Sequence, residues 1–520
     1  PNMHTLYWRM LFDAKNLENV VYKLNGQAEV FFRKSSINET DKIVHPAQQP
    51  INNKNELNEK RQSVFNYELV KDRRFTVDKF QFHVPITLNF KSIGMNNINS
   101  TVNSYLKDSK VTHIIGIDRG ERNLLYLSLI DMKGNIVKQI SLNEIVNQHK
   151  DNLYQTDYHS LLESKEVSRD EARKSWKAIE NIKELKEGYL SQVIHKISQL
   201  VVEYNAIVVL ENLNFVFMRG RQKVERQVYE KFEKMLIDKF NYLVDKKAAK
   251  SEPGGLLQAL QLTSKFDSFQ NLGKQSGILF YIPAWNTSKM DPETGFVNLF
   301  DVHYESIEKS KTFFKKFDSI RYNALKGYFE IAFDYTNFTS KAEGTRSNWV
   351  VCTYGSRIKT FRNPEQNSNW DSVEIDLTSE FKTFFDKYHI ELNDKIKEQV
   401  IKQNDKTFFE GFHQLFKLTL QMRNSKTGSD IDYMISPVMG ENGKFFDSRL
   451  ELKQGKNTEG YWISSMPVDA DANGAYNIAR KGLWVINQIK STDDLDKLNL
   501  AISNKEWLKY AQTKPYLNND

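Results

Sequence analysis

Residues 112–118 read THIIGID, 124–131 LLYLSLID and 135–142 NIVKQISL. The first is a continuous apolar run, the pattern of a strand buried on both faces. The next two follow after short connections, the last across Met132-Lys133-Gly134-Asn135, so the three predict an antiparallel meander. Further along, AIVVLENL (206–213) and GILFYIPA (277–284) have the same buried-strand composition. Before them, from about Asp170 to Tyr204, Trp176, Ile179, Ile182, Leu185, Leu190, Val193, Ile197 and Leu200 recur at helical spacing. Gly188 inside that stretch predicts a bend or two helices. A helix near 224–245 and another over 469–489, with the apolar line Ala475, Ala479, Leu483 and Ile486, follow.

A meander, a helix, a parallel-type strand and a later helix is the element order of an RNase H-like α/β fold, a mixed sheet with flanking helices. That order decides how the acidic residues are read. Asp118 ends the first strand, Glu211 ends the strand 206–213, and Asp471 opens the last helix, with Asp469 beside it. Taken singly, each is an ordinary turn former or helix cap. In an RNase H-like sheet the first and fourth strands lie side by side beneath a helix start, and the three carboxylates converge. Such a group repels itself unless it shares a cation, and hard oxygen ligands favour Mg²⁺ or Mn²⁺. Two such ions about 4 Å apart activate a water and stabilise the leaving oxygen of a phosphodiester.

Composition narrows the alternatives. The 520 residues carry 73 basic and 66 acidic side chains, a net +7 that permits a polyanionic partner without demanding one. With 40 % hydrophobic and 12 % aromatic residues the chain builds packed cores, which excludes disorder for most of it. At about 100–200 residues per domain the length suggests some three to five units. A single cysteine, Cys352, excludes a disulfide framework or a cysteine-based zinc site and fits a reducing compartment. No apolar run approaches the roughly 18 residues of a membrane span.

The N-terminal region reads differently. Val30, Phe31 and Phe32 predict a buried strand, and 35–62 a long polar loop. From Phe80 to Phe90 apolar residues alternate, which predicts a half-buried strand, at an edge because of Pro85. Residues 285–455 break the rhythm with isolated strands (328–335, 348–354) and helices near 377–387 and 408–423, the pattern of an inserted domain.

The strings IGIDRGERNL (115–124), VVLENLNF (208–215) and DADANGAYNIA (469–479) resemble the three split RuvC motifs of type V-A CRISPR effector nucleases, single-protein RNA-guided DNA endonucleases. The resemblance runs over essentially all 520 residues, through PNMHTLYWRMLF, KEGYLSQVIHKI, LQMRNSKTG and ISPV. It implies that Asp118, Glu211 and Asp471 are the metal-binding catalytic triad, with Asp471 rather than Asp469 as the third member. It further implies that Arg423 assists DNA cleavage, with Asp432 the neighbouring acid. HPAQQPINNK (45–54) and ELVKDRRF (68–75) match segments that process the precursor guide RNA, which points to His45, Lys54 and Lys71 as a metal-independent RNA-cleaving group. The roles of acid and base among them stay open. Arg219, Arg221 and Lys223 follow the Glu211 strand and suit phosphate contact as well as they suit a solvated helix entry. Trp176 would be the bridge-helix anchor to another lobe. TSKMDPETG (287–295) has Asp291 and Thr294 where a transposon-derived relative's zinc ribbon has cysteines, so no zinc is expected.

The implied organisation is a β-rich, wedge-type RNA-binding segment at 1–92, RuvC part I at 93–155, a bridge helix at 156–177 and RuvC part II at 178–284. An α+β Nuc insertion at 285–466 and RuvC part III at 467–520 complete it. The implied partners are a guide CRISPR RNA, a target DNA duplex, single-stranded DNA and an N-terminal recognition lobe of the same protein, in a prokaryotic cytoplasm and with no membrane. Two other readings stay open: a nucleic-acid-binding module inactive without that lobe, and a transposon-type RuvC nuclease.

Overall fold

The runs around Asp118 form a six-stranded mixed sheet. Its strands are β1 (His113–Asp118), β2 (Tyr126–Ile130), β3 (Ile136–Ser141), β4 (Ala206–Asn212), β5 (Gln275–Ser276) and β6 (Leu279–Pro283), in the order β3-β2-β1-β4-β6-β5. The meander β1–β3 is antiparallel, whereas β4 runs parallel to both β1 and β6. The computed structural model describes residues 22–24, 28–52, 62–83, 86–88, 97–109, 112–119, 123–149, 152–158, 183–212, 223–249, 251–256, 258–364, 369–426 and 431–518, with a few isolated positions besides. These fall into two units, Pro1–Ser92 and Ile93–Asp520.

Both faces of the sheet are covered, which is why β1 and β4 read as unbroken apolar runs. Ile115, Ile117, Val208 and Leu210 pack against helices α1 (Lys183–Glu203) and α2 (Lys223–Asn241), among them Leu190, Val193, Ile197, Phe232 and Phe240. Ile114, Ile207 and Val209 face the other way, onto Ile478, Ala479, Leu483 and Ile486 of helix α3 (Ala470–Ser491). Gly116 is what lets α3 lie so close to β1. A Cβ there would meet the Ala475 carbonyl oxygen and come within 2.5 Å of the Ala479 nitrogen. Helix α1 is continuous through Gly188, so of the two expectations separate helices do not form there; the glycine is exposed, and a Cβ added to it would meet nothing within 4 Å.

Between β6 and α3 lies a second layer with its own aromatic core, Phe314, Phe317, Phe333, Phe381, Phe385, Phe408, Phe412 and Phe416. It holds antiparallel strands 319–323, 328–334 and 348–352, the hairpin 356–363/369–376 and helices over 377–387 and 406–419. His413 lies in this core, where burial holds its imidazole down to about 4 and Ser310 Oγ stands 3.1 Å from Nε2. A base whose folded value is depressed contributes stability above its unfolded value and loses it as the pH falls. The melting temperature should therefore drop as pH goes from about 6.5 toward 4, and H413F should flatten that drop. Identical pH–melting curves for the two proteins would exclude His413 as the titrating group.

In the N-terminal unit, strand 29–33 pairs with 79–83, and 22–24 with 86–88. The strands are present but the expected burial is not: Phe32 is 58 % and Phe80 76 % exposed, because no second layer covers this two-stranded ribbon among the described residues. Nor is 35–62 loop throughout. Val44–His45 pairs with Leu69–Val70, and Ile51–Asn52 with Gln62–Ser63, ladders too short to leave a periodic signal. Among the described residues no helix is long and apolar enough to cross a membrane.

Candidate active site

Parallel pairing of β1 and β4 sets Ile117 opposite Leu210, and one residue further on stand Asp118 and Glu211. Ile117 and Leu210 face α1 and α2, so strand alternation turns the two acids toward α3. There Gly474 leaves room for Asp118: a Cβ on it would overlap Asp118 Oδ2 and lie 2.8 Å from Cγ. Asp471, in the first turn of α3, is 1 % exposed. Its Oδ2 accepts from the backbone N–H (3.1 Å) and side-chain Nδ2 (2.8 Å) of Asn123. Asp469 does something else. It is the N-cap of α3, accepting the Ala472 N–H at 2.7 Å.

Asp118 senses the other two carboxylates. Burial first, and then the charges of Glu211 and Asp471, push Asp118 well above the usual carboxylate range, against the Arg119 N–H donated to its Oδ1 at 2.9 Å. Arg119 reaches from the end of β1 to donate to the Glu211 backbone oxygen, and pairs with buried Glu233 at 3.3 Å. Glu211 Oε1 accepts from the hydroxyl of Thr287. Arg423 approaches from the residues between β6 and α3, Nη2 3.5 Å from Asp471 Oδ1 and Nε 3.9 Å from Asp432 Oδ1. The helix expected near 408–423 ends short of it, and Arg423 opens a short strand, Arg423–Ser425, antiparallel to Asp432–Met439 with Ser425 opposite Asp432. The preceding helix stops at Thr419, which frees the chain to turn back.

By donor chemistry, though not by its present spacing, the carboxylate set suits a divalent cation. Three hard oxygen donors lie close enough that burial and mutual repulsion drive one of them toward its neutral form, the situation a shared cation relieves. Among the described residues no group of three or more His, Cys, Asp or Glu already closes on one metal-sized point.

The other expected residues are distributed as follows. His45 sits on the ladder with Leu69, and the Lys71 N–H donates to the Ile43 oxygen at 2.9 Å, so both belong to one short two-stranded element. Lys54, Trp176, Arg219 and Arg221 lie outside the described residues, as does most of the expected bridge helix. Lys223 is the first residue of α2, its side chain outside the described residues. Asp291 builds the turn of its loop, Oδ1 accepting from the N–H groups of Glu293 (2.8 Å) and Thr294 (2.6 Å). Asn123, Arg119 and Thr287 are the site residues that sequence reasoning passed over, although each lies within a quoted motif.

The family model for the RuvC nuclease domain matches residues 92–516, well over half of the chain. With its carboxylates at the ends of two adjacent parallel strands and the start of α3, the chain belongs to the RuvC nuclease domain family, whose members cleave nucleic acids.

Proposed function

We propose that this protein is the nuclease-bearing part of a type V-A CRISPR effector, hydrolysing DNA phosphodiesters at Asp118, Glu211 and Asp471. The observation that carries the reading is the meeting of these carboxylates with Arg423, which comes from a separate layer of the fold. Asp118, Glu211 and Asp471 would hold Mg²⁺, with Mn²⁺ an alternative. When bound, the metal would polarise the phosphate and generate a hydroxide nucleophile. Arg423, more than a third exposed, is placed to meet a phosphate oxygen bidentately, while Asp432 orients it from behind. In this reading 285–466 is the Nuc domain, which guides strands to the single RuvC site. Residues 1–92 are the wedge-type segment, which cleaves precursor guide RNA through His45, Lys54 and Lys71. Arg219, Arg221 and Lys223 follow the DNA backbone, and Trp176 anchors the bridge helix to the recognition lobe. Guide RNA, target duplex and single-stranded DNA are the partners.

The test is a guide-programmed cleavage assay in Mg²⁺ with chelator controls. R423A should slow cutting of both strands by on the order of 10²-fold, with R423K in between because a lysine keeps charge but not the fork. Cutting that survives chelation of all divalent metal, or an R423A variant as fast as the parent, would overturn the reading.

A further inference from the structure

The end of β6 and the loop that follows it, residues 283–290, are held by side chains of a single helix. Asn473 Nδ2 donates to the Ser288 (3.2 Å) and Met290 (3.0 Å) oxygens. Asn477 Nδ2 donates to the Thr287 (2.9 Å) and Met290 (3.2 Å) oxygens. Lys481 Nζ donates to the Pro283 (2.6 Å) and Trp285 (3.0 Å) oxygens. These three residues are four apart, so they form one stripe along α3, and each is at most 1 % exposed. Loop carbonyls turned in against α3 must be satisfied, and that need explains polar groups here. It does not explain where the loop leads. Asn286 takes a left-handed conformation (φ 52°), after which the Thr287 hydroxyl donates to Glu211 Oε1. Glu211 is therefore tied through Thr287, the loop and the stripe to the helix that carries Asp471 two residues before Asn473.

On the carboxylate reading above, we propose that Thr287 is a positioning residue for Glu211. Its hydroxyl occupies Oε1 and leaves Oε2 for a divalent cation, while the Asn473–Asn477–Lys481 stripe sets Glu211 and Asp471 as one unit. A carboxylate held from behind by a donor keeps its rotamer, which is what a cation needs before it arrives. Thr287 touches neither cation nor DNA in this scheme.

The test compares T287V, which keeps the shape and removes the donor, with T287S, which keeps the donor. Two readouts are taken on the 520-residue protein: Mn²⁺ binding, followed by the loss of the free-ion paramagnetic signal, and the Mg²⁺ concentration that gives half-maximal cutting. T287V should weaken Mn²⁺ binding and raise the Mg²⁺ requirement about 10–100-fold, with T287S within about twofold of the parent. A purely structural role would lower cutting at every metal concentration and leave the midpoint in place. If T287V does not fold, T287A replaces it and the same split from T287S is required. Unchanged Mn²⁺ binding in the donor-less variant, or a T287S variant equally impaired, overturns the inference. D118A run alongside separates the two levels: if it binds Mn²⁺ and cuts like the parent, the carboxylate reading itself fails, whatever Thr287 does.

Discussion

Asp118→Ala is expected to abolish DNA cutting while leaving guide-RNA processing intact. A metal stabilises a phosphoryl transition state by several kcal/mol, and each 1.36 kcal/mol is tenfold in rate, so the loss should reach about 10³-fold or more. Stability should move the other way. Without metal, Asp118 is buried beside two acids and is driven toward its neutral form. An acid whose folded value is raised favours the fold at low pH and loses that contribution as pH rises through the folded value. Removing it relieves the strain, so metal-free D118A should melt no lower than the parent at neutral pH. Added Mg²⁺ should raise the melting temperature of the parent and not of the variant. We propose RNA processing for His45, Lys54 and Lys71, in the other unit and without metal. Loss of both activities together, or DNA cutting that persists in D118A, would sink the two-site scheme.

The carboxylates were legible for a physical reason: a strand buried on both faces is uniformly apolar, so an acid at its end stands out. Asp118 and Glu211 are those ends, and the period of two then fixes the side each one faces. Asp471 was legible only through its motif, since Asp469 two residues earlier is equally plausible by composition and turned out to be the N-cap. The strand that Arg423 opens, inside the stretch 408–423 expected to be helical, was not legible because three residues carry no periodicity; only its partner across the ladder, at Asp432–Met439, defines it. Thr287 was out of reach. Nothing in TSKMDPETG reveals that a left-handed residue beforehand brings its hydroxyl to Glu211. The N-terminal ribbon shows the converse failure. Alternation at Phe80 and Phe82 correctly gives a strand, but periodicity says which face is apolar, not whether anything covers it.

Gly474→Ala should give the second large effect, and it separates packing from catalysis. Alanine is the better helix former by about 1 kcal/mol, so on propensity alone the substitution stabilises α3. The same change at Gly188, exposed on α1 with nothing within 4 Å, should do just that, raising the melting temperature with cutting unchanged. At Gly474 the added methyl meets Asp118, whose Cγ would be 2.8 Å away. Asp118 cannot easily retreat: it ends a strand paired on both sides, and its Oδ1 is held by the Arg119 N–H. Nor can α3 easily rise, because Asn473, Asn477 and Lys481 tie it to the carbonyls of 283–290. The carboxylate must rotate away from Glu211 and Asp471, and a misplacement of about 1 Å in such a site costs about 10²-fold in rate. G474A should therefore fold and melt within a few degrees of the parent yet cut about 10²-fold more slowly, while G188A cuts normally. A G474A variant that cuts at the parent rate would mean that Asp118 is not held where the reaction needs it.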